Sequence, residues 1–296
     1  MKNSRLAICI TVHFSAERMK YLKAISDHFA KLADIVEVFI VTNAQADKGE
    51  IQILEDILKD KGFKYEFFIP HGLGHPYLLT WSHFAVFKRL IADESITHFM
   101  YLEDDLLVTR ENMDYWNESL ETLLPLGLIP SFLRVEKNHT DLNWYSSDAQ
   151  EQFYFPKLPK VLKTSEYAFI NLPHPYQGMY LLTRELMIEH LSSKSSSPDS
   201  DTSDWFIRER AAQGLTFQNV PEWCTSRNFV GFDIAKQKFD PRCFVHHLPD
   251  NYANQRSPHH TLGTIQVDNL ILMQYKGVWL KKRMRKLSKY LGFKPK

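Results

Sequence analysis

Three consecutive acids, Glu103, Asp104 and Asp105, directly follow the largely apolar run 97–102. Carboxylates projecting from the end of a buried strand cannot be solvated by that strand's neighbours, so they are costly unless a cation sits against them. A divalent metal carrying a diphosphate is the obvious cation. Mg²⁺ and Mn²⁺ take carboxylate oxygens and share themselves with phosphates. A plainer use stays open, because acids at the start of a helix complement its dipole. The elements around the triplet have to decide between the two.

Those elements alternate. Residues 6–12 form a continuous apolar stretch suited to a strand covered on both faces. Residues 16–32 carry Met19, Leu22, Ile25, Phe29 and Leu32 at helical spacing. A strand is expected at 36–41, a helix at 50–61, a strand at 65–69, a helix at about 80–92 and a strand ending at 102. This succession predicts a doubly wound α/β sheet. In such sheets ligands bind beyond the carboxyl ends of the strands. Thr11, His13 and Phe14 after the first strand, Thr42 and Asn43 after the second, and the triplet after the fourth would share that edge. The helix following the loop 70–76 begins near Thr80, and its N-terminus suits a phosphate. Trp81 and His83 beside it suit the core equally well.

The second half is less regular. Strands are expected at 129–136 and 176–182, with short aromatic pieces over 144–169 broken by Pro156 and Pro159. A helix follows at 183–191, then a polar, exposed loop at 192–201, then a helix from about 203 that stops at Gly214. Arg134 and Glu136 end a predicted strand, where they can face an acceptor or a diphosphate, or form an ordinary ion pair. Gly178 would let the backbone approach a ligand closely, or merely mark an irregular strand. Trp144, Tyr145, Trp205 and Trp223 suit stacking on a sugar's apolar face, although most aromatics serve the core.

Composition narrows the class. The chain has 296 residues, 44% hydrophobic and 24% charged, as in an ordinary globular protein. No apolar run approaches a transmembrane helix in length. Residues 1–5 lead straight into a strand without a signal-peptide core, so a cytoplasmic location is expected. Cys9, Cys224 and Cys243 show no paired metal-ligand spacing, which points to reduced thiols and away from zinc. The net charge of +1 hides an asymmetry: residues 277–296 hold eight Lys or Arg and no acid, leaving about −7 for the rest. Nothing in the composition of the body suggests a nucleic-acid surface, and no nucleic-acid partner is expected.

Four segments together resemble the GT-A-type, nucleotide-sugar-dependent glycosyltransferases: the strand 38–43, the segment 101–105, the glycine-bearing segment 176–180 before a helix, and His246-His247. The likeness covers most of residues 5–255, and the triplet looks like that superfamily's DXD metal motif in a Glu-Asp-Asp form. The resemblance implies a Rossmann-like mixed sheet, with a nucleotide-binding half at about 1–125 and an irregular acceptor half at about 126–262. It implies Mn²⁺ or Mg²⁺ held by Asp105 and by His247 or His246, and Asp104 at the ribose or sugar. The role of Glu103 is less defined, since the motif more often opens with Asp. It further implies a nucleotide-diphosphate sugar as donor, with Thr11, His13, Thr42, Asn43, Thr80 and Gly178 around it. The acceptor would be a glycan, lipid-linked or other hydroxyl compound, met by Arg134, Glu136 and Trp205.

Transfer with inversion needs a base near the acceptor hydroxyl. The resembling family places its acidic base after the glycine strand and just before a helix, which implies Asp204, with Asp201 as the alternative. The plainer role for Asp204 is a helix cap. In the stretch 263–296, Leu280, Met284, Leu287 and Leu291 recur at helical spacing among basic residues. That pattern predicts a basic helix at an anionic membrane surface, or one packed on the body. Two other readings share parts of this picture. A sugar nucleotidyltransferase would want a glycine-rich loop after the first strand, where 11–18 has no glycine. A non-catalytic sugar-nucleotide or membrane-surface binding module would keep the fold without turnover.

Overall fold

The computed structural model describes residues 4–173, 175–255 and 261–274. Its first half alternates as the sequence pattern requires: β1 (Arg5–Val12), α1 (Met19–Phe29), β2 (Ile35–Thr42), α2 (Glu50–Leu58), β3 (Lys64–Phe68), α3 (His83–Leu90) and β4 (His98–Glu103). The four strands are parallel, in the order β4-β1-β2-β3, and the strand Met179–Thr183 adds antiparallel to β4. The protein is therefore a Rossmann-like α/β fold with further mixed sheets. Residues 6–10 and 99–102 are almost wholly shielded from solvent, as strands covered on both faces must be.

The strand order places the reversal of winding between β1 and β4. The chain runs outward from β1 to β3 and then returns to the other side of β1. A crevice opens at that switch point, beyond the carboxyl ends of both strands. The triplet leaves β4 there, and Thr11 to His13 leave β1.

A second sheet is built from residues 160–162, 167–170, 228–233 and 238–239, with 129–130 joined to it. A third matters most for the site. Its order is Ile265–Gln266, Trp144–Ser146, Leu133–Lys137, Phe244–His247 and Leu106–Leu107. The last of these strands begins one residue after the triplet and pairs antiparallel with Phe244–His247, setting His247 opposite Leu106. One continuous apolar core runs through both halves.

Several expected elements take a different form. The helix expected over 203–213 shrinks to Ile207–Arg210, with Phe206 rather than Asp204 at its N-cap. The serine-rich stretch 192–201 is not a free loop. Arg210 donates to the carbonyls of Ser200 and Pro198, and Ser195 and Ser200 are buried. Residues 265–272 add short strands to the body instead of opening a helical tail. The basic segment 277–296 lies outside the described residues. Among the described residues, no helix is long and apolar enough to cross a membrane.

Two histidines are sealed beneath the sheet. His83 Nδ1 donates to the Thr80 carbonyl at 2.5 Å, and Nε2 accepts from the Tyr180 hydroxyl at 2.7 Å. His190 Nδ1 meets Ser195 Oγ at 2.8 Å. Burial pushes both imidazoles down to about 3. The unfolded chain takes up these protons near pH 6.5, while the native state refuses them until about pH 3. Stability therefore falls as pH drops below 6.5, by about 1.4 kcal/mol per pH unit for each histidine. The raised carboxyls Glu103 and Asp104 act in the opposite sense over the same range, so the histidine contribution is read as a difference: in urea unfolding between pH 7 and pH 5, His190→Leu should lose less stability than the wild type on acidification, by about one proton's worth of slope.

Candidate active site

The crevice at the switch point is a cleft of about 1020 Å³. Thr11, His13, Thr80, all three acids of the triplet, Arg134, Trp205 and His247 line it, so these nine of the residues singled out from sequence converge there. His247 arrives by register. Side chains alternate across a strand, and Phe244–His247 turns His247 toward Asp105 while His246 faces the opposite way. His246 instead bonds Asp250 at 2.8 Å and packs edge-on against Trp144. Glu136, on the neighbouring strand, is sealed behind His247. It accepts from His247 Nδ1 at 2.5 Å and from the Ala253 amide at 2.6 Å. The ring is thus fixed with Nε2 toward Asp105 Oδ2, 3.5 Å away, and Tyr252 is stacked over it.

The three acids differ in charge state. Burial pushes Glu103 up to about 7, the negative charge of Asp105 adding to the effect, and burial pushes Asp104 up to about 6 against its Arg18 hydrogen bond. Burial would raise Asp105 as well, but hydrogen bonding to His247, then the charges of His247 and Arg18, hold it below the usual carboxylate range. Asp105 is therefore the acid that stays ionised most firmly. Its Oδ1 is buried with no partner among the described residues. The carboxylates in turn hold the imidazole of His247 protonated: burial lowers it, but hydrogen bonds to Asp105 and Glu136 carry it to about 9.

Arg18, just before α1, is the resident cation. Its Nη2 donates to Asp105 Oδ2 at 2.7 Å and also to Asp104 Oδ1, and its Nε donates to Asp104 Oδ2 at 3.2 Å. A second guanidinium lies deeper. Arg134 is buried and paired with Asp148 at 2.5 Å, and it lies 4.8 Å over the ring of Tyr176. Tyr176 donates to Glu103 Oε1 at 2.7 Å and stacks on Trp205 at 5.1 Å. Arg18, Asp148, Tyr176 and Tyr252 all line the cleft, yet none stood out in the sequence. Single charged or aromatic residues in loops carry no periodic signal.

Other expected residues fall outside the lining. Thr42 is buried and caps the turn at Ala44. Asn43 accepts from the Phe14 amide at 2.9 Å, pinning the loop after β1. Gly178 serves Glu103 more directly than any ligand. Its φ is +68°, and a Cβ there would meet Glu103 Oε2 at 2.5 Å. Asp204 is exposed, and Asp201 is exposed with Lys194 3.9 Å away. The carboxylate that does reach the cleft from this segment is Glu209, whose Oε2 is buried without a partner among the described residues. Trp144, Tyr145 and Trp223 also lie outside the cleft wall, leaving Trp205 as the lining tryptophan.

Asp105 and His247 offer an oxygen and a nitrogen donor of the kinds that divalent cations take. Asp105 Oδ1 is unpartnered, and His247 Nε2 faces the same carboxylate with Nδ1 held by Glu136, the carboxylate–histidine arrangement that orients metal-bound imidazoles. Among the described residues, no cluster of three or more His, Cys, Asp or Glu side chains is arranged to hold a metal. Two protein ligands would have to be completed by phosphate oxygens and water, the mode in which Mg²⁺ usually binds.

Fold and site together define a Rossmann-like α/β protein with an acid-and-histidine cleft at its switch point. No family model and no curated protein matches the chain. Among solved structures it is similar to residues 1–349 of S. aureus TarS in complex with UDP-GlcNAc, at 12% identity and a TM-score of 0.42. That match covers 87% of this chain and 60% of the other, so the chain spans less than two thirds of that structure's length.

Gly178→Ala should destabilise the protein by roughly 1–3 kcal/mol, combining left-handed backbone strain with the contact to Glu103. A lowered urea midpoint with an unchanged slope would register it.

Proposed function

We propose that the protein is a GT-A-type, metal-assisted glycosyltransferase that moves a sugar from a nucleoside-diphosphate donor to a hydroxyl acceptor, in a glycan or on a lipid carrier. The observation that carries this reading is the pairing of Asp105 with His247, joined by strand register across 142 positions, inside a cleft large enough for a sugar nucleotide. A bound Mn²⁺ or Mg²⁺ would neutralise charge building on the departing diphosphate. Asp105 and His247 would hold it, and Glu136 would keep the imidazole in its ligating orientation. His247 would have to give up its proton to serve as a ligand, since only the neutral imidazole ligates.

The protein's own groups supply the rest. Thr11 and His13 line the cleft and would meet the nucleotide, and Trp205, backed by Tyr176, would offer an apolar face to a sugar. Glu209 is the base we assign in place of Asp204 and Asp201: it lines the cleft, its Oε2 has no partner among the described residues, and its carboxylate would take the acceptor's hydroxyl proton as the sugar–diphosphate bond breaks. The stretch 277–296 retains the pattern of a membrane-surface segment, and its role in bringing the enzyme to a lipid-linked acceptor is part of the same proposal.

Two variants separate these roles. Asp105→Ala should abolish the Mn²⁺ dependence of nucleoside-diphosphate-sugar binding in calorimetry, and retained metal-dependent binding would remove Asp105 from the site. Glu209→Gln should leave donor binding intact and lower the transfer rate by about 10²–10⁴-fold. A full rate in that variant would return the base assignment to another acid.

A further inference from the structure

Arg18 does something that the metal reading leaves unexplained. One guanidinium spans both Asp104 and Asp105, in the place where a divalent cation would meet the same carboxylates. It is 38% exposed, whereas the two acids are 4% and 6% exposed, so the cation stands on the open side of the site and the acids behind it. It borders the cleft and reaches the acids from the loop between β1 and α1, on a long flexible stem. A guanidinium and a divalent metal cannot both lie against Asp105 Oδ2 and Asp104 without strong repulsion. Asp105 Oδ1, meanwhile, has no partner among the described residues while Arg18 is in place.

We propose that Arg18 is an exchangeable counter-ion, and that this exchange belongs to the donor site of the glycosyltransferase reading on which it rests. Without donor, Arg18 neutralises the acid pair and competes with free divalent cation. When a metal–diphosphate complex enters, the metal takes the carboxylates and the displaced guanidinium turns onto the diphosphate oxygens, which its forked donors match. No bond is made or broken in this step; one cation replaces another at the acids, and the released one finds a new anion within reach. The ligand class is therefore a divalent cation already carrying a diphosphate, in preference to the bare ion. A merely structural arginine would support the acids, and its loss would weaken both kinds of binding.

The test uses the full chain, with Mn²⁺ alone and preformed Mn²⁺–pyrophosphate as probes. Free Mn²⁺ is read by electron paramagnetic resonance, and the complex by calorimetry. Replacing the guanidinium in Arg18→Met should tighten binding of Mn²⁺ alone by about tenfold and weaken binding of Mn²⁺–pyrophosphate by about tenfold. Opposite signs support the exchange. Weakening of both, no change in either, or a wild-type protein that takes pyrophosphate but no Mn²⁺ overturns it. Should the methionine variant fail to fold, Arg18→Lys keeps the charge but loses the fork, and should show smaller shifts of the same signs. The two readings fail separately. Opposite shifts without hydrolysis of any nucleoside-diphosphate sugar would leave the exchange standing and remove glycosyl transfer, and hydrolysis without the shifts would do the reverse.

Discussion

Three neighbouring carboxyl groups cannot sit at the dry end of a buried strand unless positive charge is brought to them, and much of the second half of the chain answers that requirement. Arg18 covers Asp104 and Asp105 from the loop after β1. His247 comes to Asp105 from the far end of the sequence, and Arg134 lies near enough to Glu103 to oppose the rise in its proton affinity. Each helper is itself balanced: His247 by Glu136, and Arg134 by Asp148. The result is a connected set of charges in which removing one partner leaves another buried and unpaired. Such removal is more damaging than the net worth of any single pair.

The third sheet makes this arrangement geometrically certain. A two-residue strand immediately after the triplet hydrogen-bonds to Phe244–His247, and that strand runs parallel to the one carrying Arg134 and Glu136. The backbone is shared as well, since the Leu248 amide donates to the Asp105 carbonyl at 2.9 Å. Register alone therefore decides which histidine of the adjacent pair enters the cleft. A one-residue slip would exchange His247 for His246 and turn Glu136 away.

The α/β half was legible because periodicity and burial agree there: β1 to β4 and their helices fall within a few residues of the expected bounds. The triplet was legible for the same reason, being an acidic break in an apolar strand. The second half was harder, because its strands are two to six residues long and their partners are distant in sequence. The pattern 203–213 reads as a helix, yet the chain turns helical only at Ile207, with Trp81 Nε1 donating to the Ile207 carbonyl at 2.7 Å. That shift leaves Asp204 in solvent and brings Glu209 to the cleft. Arg18 was unreadable for a different reason: a lone arginine in a loop becomes significant only when the acids it meets are known.

The proposed reaction breaks the bond between a sugar and a diphosphate with a divalent cation's help. Its most direct measurement is product analysis after incubation with a panel of nucleoside-diphosphate sugars, with Mn²⁺ and with Mn²⁺ chelated. A glycosyltransferase of this kind should give Mn²⁺-dependent release of free sugar and nucleoside diphosphate from at least one donor, as slow hydrolysis in the absence of acceptor. Release of sugar phosphate and nucleoside monophosphate would contradict it, because the bond broken would then lie between the phosphates. Release that persisted undiminished after chelation would contradict the metal's part in the site.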